Sequence, residues 1–528
     1  MSESGTPAWA GSSRGQFATV ARNLSTRYVA IGCELVIGLL LLPFNLAHLG
    51  PADYGLWILL GSLTVHFSLL ELGFGSGVVK FAAQYRAHRD GQALNEIAST
   101  VFTVFTIIGV VAYSLVVLVA FNLQHLFALT PAQVETGRSI LLITGLYVAL
   151  NFPFSVYGGL IAGFQRYDVN NTMAVVASIA VALTNVAVLS AGYGLVHLVA
   201  ATTTVRVLAL FVYRRNAFRV FPALHMRASL FRRGRLREVM GFSVYASLID
   251  WANKLNYQTD QIVIGMFLGS AAVAVWAPAE RIIASVQRLT NQLNGVLFPA
   301  IVDSDAARRQ ARLQQILLQG TRLSLAMVLP IAATLFALAD PLLRAWLRDQ
   351  AETVAGAIPV IQILAIAVAI RVGNATGTTL LKGAGQHRML AFVNLGTGFV
   401  NLALSIVLVR RYGLVGVAWG TLVPIALSAA FILFPAACRR VGLPVHRVVV
   451  ESVVPAVWPA LLVGTFLILT RDISSGTLLA VALHAMAGGT LYAALFLSLA
   501  ISRADRAYYI AKLAQLLRRR PLAPAGSA

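Results

Sequence analysis

Acidic residues are scarce in this chain, and charge of any kind is thin. Only 20 of 528 residues are Asp or Glu, against 41 Lys and Arg, and charged residues make up 12% of the whole. Soluble domains carry roughly twice that fraction, so a soluble globular protein is excluded. Cysteine is rarer still. Cys33 and Cys438 are the only two, too few for a disulfide framework or a cysteine-ligated zinc site. One falls in the first apolar run and the other at the end of the twelfth, which marks both as packing thiols. HExxH, CxxC and the phosphate-binding GxxxxGK[ST] are absent, which removes several familiar soluble chemistries. The polar–apolar alternation over short segments that a membrane β-barrel requires is missing too. The N-terminal stretch MSESGTPAWAGSSRGQFATVARNL lacks the apolar core of a cleaved signal, so it is expected to stay attached, with the first helix as insertion signal.

What the chain has instead is hydrophobic length. With 58% hydrophobic residues and a mean hydropathy of +0.77, it reads as an all-α polytopic membrane protein. Apolar runs of about 20 residues recur between short polar loops, as spans across roughly 30 Å of hydrocarbon require. About fourteen are expected, near 24–47, 54–79, 98–121, 138–161, 170–191, 194–213, 241–268, 271–298, 318–339, 354–378, 390–409, 413–435, 450–470 and 476–500. The organisation is then a tail (1–23), a first lobe (24–213), a basic linker (214–240), a second lobe (241–437), two extra helices (438–502) and a basic tail (503–528). In that tail Tyr508, Tyr509, Leu513, Leu516 and Leu517 recur at helical spacing among basic residues. An interfacial helix on anionic lipid and a solvated tail fit it equally.

The most polar stretch is the linker, where 214–237 holds eight arginines, one histidine and no acidic residue. Such a segment stays on one face of the membrane. Placing it and the N-terminus in the cytoplasm puts 29 of the 41 Lys and Arg in cytoplasmic segments and six in outside loops, with six inside spans. Both termini are therefore expected in the cytoplasm. The net charge of +21 is explained by retention of these loops rather than by nucleic acid, which is not an expected partner.

Sliding the chain by 219 residues aligns Gly50 with Gly269, Trp57 with Trp276, Gly137 with Gly356, Gly158 with Gly377, and Tyr193-Gly194-Leu195-Val196 with Tyr412-Gly413-Leu414-Val415. This carries spans one to six onto seven to twelve. Six spans return the chain to its starting side, so the two halves share one orientation, a transporter plan.

Eleven of the ionisable residues that fall inside expected spans bear on a site: Arg27, Glu34, Glu71, Arg206, Asp250, Lys254, Asp260, Glu280, Arg281, Arg288 and Arg371. Each costs about 2.5 to 3.5 kcal/mol at a helix centre, so a partner or a wet interior is required. Nine lie on spans one, two, seven and eight, the first two of each repeat, which could line one central cavity. Asp250 and Lys254 are i and i+4 and can pair, with Trp251, Tyr257 and Gln261 close by in sequence. Arg281, Ser285 and Arg288 share a face beyond Pro278. Glu34 maps by the repeat onto Asn253, so a Glu34–Lys254 contact is geometrically open. Glu280 and its neighbour Arg281 cannot share a face. Arg27 and Arg288 lie near enough to the interface to snorkel, Arg206 and Arg371 read as structural, and His66 and His484 read as packing residues. Gly73-Phe74-Gly75-Ser76-Gly77 lacks the GxGxxG spacing and reads as close helix packing. Asp303-Ser304-Asp305 is weak as a sugar-nucleotide motif.

The chain resembles the multidrug, oligosaccharidyl-lipid and polysaccharide (MOP) exporter superfamily, and within it the polysaccharide flippases. The likeness rests on Leu49-Gly50-Pro51-Ala52-Asp53-Tyr54-Gly55-Leu56-Trp57, Leu70-Glu71-Leu72-Gly73-Phe74-Gly75, Thr259-Asp260-Gln261, Phe267-Leu268-Gly269, Pro278-Ala279, Phe298-Pro299 and Tyr412-Gly413-Leu414-Val415-Gly416. It implies two six-helix lobes, alternating access, and no enzyme activity. Its implied cargo is an undecaprenyl-pyrophosphate-linked oligosaccharide, moved from the cytoplasmic to the periplasmic leaflet of a bacterial inner membrane for O-antigen or exopolysaccharide export. A cationic cavity would hold the pyrophosphate and sugar through Lys254, Arg281, Arg288 and Arg27, beside Trp251 and Tyr257. Glu34, Glu71, Asp250, Asp260 and Glu280 would be its acidic members, open to coupling with an H+ or Na+ gradient or the membrane potential. No cofactor is implied. Membrane lipids are expected partners and polysaccharide assembly proteins are candidates, while the carrier itself needs no second copy and is expected as a monomer. A lipid II flippase, a cation-coupled multidrug exporter, and a membrane glycosyltransferase or polymerase remain alternative readings. The short outside loops count against the last, and mixed cavity charge counts against the drug exporter.

Overall fold

The computed structural model describes residues 13–71, 74–240, 251, 258–474, 476–501 and 506. Lys254, Asp250, Tyr257 and most of the 503–528 tail lie outside them. Among the described residues there is no β-strand. Ten helical stretches among the described residues are long and apolar enough to cross a membrane. Two of these, Ser25–Glu71 and His387–Arg440, each hold two expected spans, because the chain turns sharply inside them at Gly50 (φ 71°, ψ 169°) and Gly413 (φ 57°, ψ −136°). Twelve expected spans are thereby matched. The seventh falls mainly on 241–250 and 252–257, outside the described residues. The eighth is a 37-residue helix, Ser270–Ala306, kept below the apolarity of the ten by Glu280, Arg281 and Arg288.

Packing divides the chain into two compact units, residues 1–281 with 394–417, and 282–393 with 418–528. This partition follows packing, whereas the lobe boundaries above follow the repeat. The first unit contains α1 (Ser13–Phe67), α2 (Phe74–Ala87), α3 (Gly91–Phe121), α4 (Pro131–Gly163), α5 (Tyr167–Ser190), α6 (Leu195–Val220), α7 (Asp260–Leu268) and the start of α8 (Ser270–Ala306). The first helix starts at Ser13, earlier than the tail 1–23 anticipates. In the second unit lie the rest of α8, α9 (Gln310–Ala337), α10 (Ala357–Gly373), α11 (Ala375–Gly383), α13 (Phe434–Arg440), α14 (Val454–Leu469) and α15 (Leu478–Leu495). The long α12 (His387–Ser428) contributes to both units.

Backbone conformation carries the 219-residue repeat. Gly50 (φ 71°) and Gly269 (φ 82°) both join the first helix of a repeat to its second, and Arg89 (φ 56°) and Arg308 (φ 51°) both close the turn before its third. Gly50, with ψ 169°, sits in a region that only glycine enters cheaply. Gly50→Ala is expected to lower stability by about 1 to 3 kcal/mol, read as a fall in thermal midpoint, although nothing crowds the position.

The second expected span, 54–79, is not one helix. Regular α-structure stops at Phe67, a 3₁₀ turn occupies Ser68–Glu71, and α2 begins at Phe74. Two side chains attend the break. Trp251 donates its indole N–H to the Leu69 carbonyl at 3.0 Å. The Glu71 carboxylate packs against Gly75 in the first turn of α2, where unsatisfied N–H groups and the helix dipole favour a negative charge. The equivalent stretch of the second repeat runs unbroken through α8.

The basic segment is strapped to α3 rather than free. Helix α6 continues to Val220, after which the backbone is held from the side. Asn95 donates to the Ala223 carbonyl (3.0 Å) and accepts from the His225 N–H (2.9 Å), while Ser99 and Thr100 hydroxyls accept from the N–H groups of Arg227 (3.2 Å) and Arg232 (3.0 Å). Arg235 pairs with Glu96 at 3.2 Å and donates to the Tyr85 hydroxyl at 2.7 Å. Burial, and then the hydrogen bond to Glu238, hold the Tyr85 phenol above its usual range, with Arg235 opposing. Asn95→Ala removes two of these bonds, worth about 0.5 to 1.5 kcal/mol each. Trypsin cleavage after Arg227, Arg232 and Arg233 is expected to quicken about 10-fold.

Candidate functional site

Three of the ionisable residues that sequence places inside the membrane, Asp260, Glu280 and Arg281, come together where α7 and α8 pack on α1 in the first unit. Small residues permit the approach. A side chain on Gly55 would strike the Ser270 carbonyl and one on Gly265 would strike Leu59, so both helix crossings depend on bare backbone. Gln133 of α4 fixes the start of α8 by donating to Ser270 Oγ at 2.9 Å, and Ala128 donates its N–H to the Gly265 carbonyl at 3.4 Å.

Glu280 and Arg281 part, as adjacent residues on a helix must. Glu280 turns to α7 and accepts a short hydrogen bond from Gln261. Its carboxylate lies in the field of Asp260 and Arg281, and Asp260 itself is buried. Trp276, one turn earlier and fully buried, presents its indole N–H toward this carboxylate but makes no hydrogen bond of acceptable geometry. Arg281 turns to α1. Its Nη2 donates to the Glu34 carbonyl at 3.4 Å, and its guanidinium fills the volume that a side chain on Gly38 would occupy. Tyr54, also buried, feels both charges. One guanidinium, two carboxylates, an amide and an indole are thus gathered among apolar helices.

Of the expected residues, the structure brings together Arg281, Glu280 and Asp260, with Glu34 through its backbone. Trp251 and Glu71 serve the break after α1. Arg27 is exposed, and Arg288 is exposed and belongs to the second unit. Arg206 is exposed, 5.9 Å from the Tyr147 ring, and Arg371 donates to Gln287 at 3.3 Å. His66 bonds the Ser62 carbonyl, and His484 bonds the Thr470 hydroxyl. Asp305 forms an ion pair with Arg440, a structural role. Sequence reasoning missed Gly38 and Tyr54. Gly38 lies four residues after Glu34, on the same helical face, which is the one signal that could have marked it. Among the described residues no group of three or more His, Cys, Asp or Glu could hold a metal.

This all-helical, membrane-spanning fold is that of the MOP superfamily transporters. The structure is similar to an inward-facing multidrug resistance MATE transporter of that superfamily, at 15% identity over 80% of this chain and 98% of that one, with a TM-score of 0.67. It is similar to the lipid II flippase MurJ in an inward closed conformation, at 14% identity over 89% and 98%, TM-score 0.69. A MOP superfamily transporter from Pyrococcus furiosus, whose binding pocket has reverse polarity, matches at 15% identity over 80% and 95%, TM-score 0.57. No curated protein matches. Residues 48–355, more than half the chain, match the family model described as polysaccharide biosynthesis protein, and the chain belongs to that family.

Proposed function

We propose that this protein is a flippase rather than an enzyme. In this reading it moves an undecaprenyl-pyrophosphate-linked oligosaccharide from the cytoplasmic to the periplasmic leaflet of a bacterial inner membrane by alternating access, for O-antigen or exopolysaccharide export. The observation that carries the reading is Arg281, a guanidinium held within apolar helices in a member of a polysaccharide biosynthesis family. A cation there is expensive unless it has work to do, and a planar fork of N–H donors suits phosphate oxygens. The polyprenyl tail stays in the lipid while the polar head crosses. Glu280, held by Gln261 beside Asp260 and Arg281, is the carboxylate through which an H+ or Na+ gradient would act. Each charge moved is worth about 2.3 kcal/mol per 100 mV.

The test is the lipid-linked glycan pool in cells depleted of the protein, with leaflet position read by a membrane-impermeant probe. Accumulation on the cytoplasmic side is the expected result, and the attached sugars identify the cargo. An unchanged pool with new sensitivity to cationic dyes would overturn the assignment.

A further inference from the structure

The basic segment at and beyond the end of α6 leaves most of its charge unanswered. Of its exposed arginines, Arg232 pairs with Glu96 at 3.9 Å and Arg214 lies 5.6 Å from the Phe218 ring. Arg215, Arg219, Arg227, Arg233 and Arg237 are exposed as well, and among the described residues none of these five has a carboxylate partner. The carboxylates of the neighbouring elements are engaged elsewhere. Asp90 accepts from the Ala93 N–H at 2.9 Å and caps α3, Glu96 and Glu238 hold Arg235 at 3.2 and 3.4 Å, and Asp168 pairs with Arg166 at 3.0 Å.

Depth decides what can meet these guanidinium groups. The N–H groups of Arg227 and Arg232 bond the hydroxyls of Ser99 and Thr100, which fixes where the segment crosses α3. From Thr100 to the end of α3 at Phe121 the helix rises about 31 Å at 1.5 Å per residue. That matches the roughly 30 Å of hydrocarbon in a bilayer. Helix α6 gives the same level independently, because from its start at Leu195 it has risen about 30 Å on reaching Arg215. The segment therefore crosses where hydrocarbon gives way to headgroups. Its apolar side chains complete the anchoring: Leu224 and Val239 are buried, and Phe221, Met226 and Leu236 pack on the same core. With backbone and apolar face both held, the arginines are left on the outer side.

We infer that this strap is a binding surface for the phosphate headgroups of anionic phospholipid, in the leaflet that meets the start of α3. Arginine suits this ligand because its planar fork can take two phosphate oxygens at once. Each basic residue close to an anionic membrane surface strengthens attachment about fivefold, and a surface already held in place spends little on ordering. A soluble acidic partner would have to displace lipid to reach residues at this depth. Attachment of this kind is independent of which cargo the protein moves.

Phosphatidylglycerol carrying a photoreactive group on its head tests this on the full-length protein in nanodiscs of phosphatidylcholine. Labelling is expected to concentrate on 215–237, to be competed by unlabelled phosphatidylglycerol, and to disappear in 1 M salt, where the screening length is about 3 Å. Replacing three exposed side chains together, Arg227→Gln, Arg233→Gln and Arg237→Gln, is expected to cut it at least about 10-fold. Asn95→Ala loosens the strap and leaves every charge in place; a reduction of about 3-fold is expected from it. Labelling shared equally with the basic stretches 303–312 and 439–447 would overturn the inference, as would equal labelling by phosphatidylcholine bearing the same photoreactive head. Labelling indifferent to the triple substitution or to Asn95→Ala would overturn it too. Displacement by an equimolar acidic peptide would give the surface to a protein partner instead.

Discussion

Arg281→Ala is expected to cut surface polysaccharide at least 10-fold while the protein remains in the membrane at normal abundance. The guanidinium is placed by α8 against α1, with one N–H on the Glu34 carbonyl, and its planar fork of donors has the geometry that suits phosphate oxygens. A hydrogen bond to a charged group contributes about 1.5 to 3 kcal/mol, so losing even one from the bound cargo costs about 10-fold or more in affinity. Arg281→Lys separates charge from geometry. It keeps the positive point charge and loses the planar fork, so partial export is expected from it. Were both variants to export normally and merely melt earlier, Arg281 would be a structural residue and the transport role assigned to it would fail.

Gly38→Ala is expected to reproduce the export defect without touching a charged residue. A methyl group at this position would coincide with the Arg281 guanidinium, and the arginine would have to leave its seat on α1. Gly32, on the same helix, has nothing within 4 Å of the position a Cβ would take. Gly32→Ala therefore controls for helix propensity, and alanine there is expected to leave export unchanged and helix stability equal or higher. Equal export by the two variants would show that the seat of Arg281 is irrelevant to transport. A double-mutant cycle between Gly38→Ala and Arg281→Ala should show strong non-additivity, because the second change removes the group that the first displaces.

Much of the architecture could be read without coordinates because a membrane simplifies the problem. Hydrocarbon demands long apolar helices, and charge placement at their ends follows one rule for the whole chain. The repeat was equally legible, since Gly50 and Gly269 must be glycine for the same backbone reason. The break at Ser68–Glu71 was not. An apolar sequence reads as continuous helix, and the stabilisation of a break by Trp251 and by the placement of Glu71 comes from partners distant in sequence or aligned only by the fold.

The candidate site shows the same division. The sequence by itself determined that Arg281, Glu280, Asp260 and Glu34 would lie inside the membrane, because each interrupts an apolar run whose length leaves no alternative. Only tertiary structure decided which of them meet. Glu280 goes to Gln261 and Arg281 to Gly38, since adjacent residues on a helix point about 100° apart and must answer to different neighbours. Gly38 itself has no chemistry to advertise; its role is an empty volume, and a volume exists only once two helices have been packed.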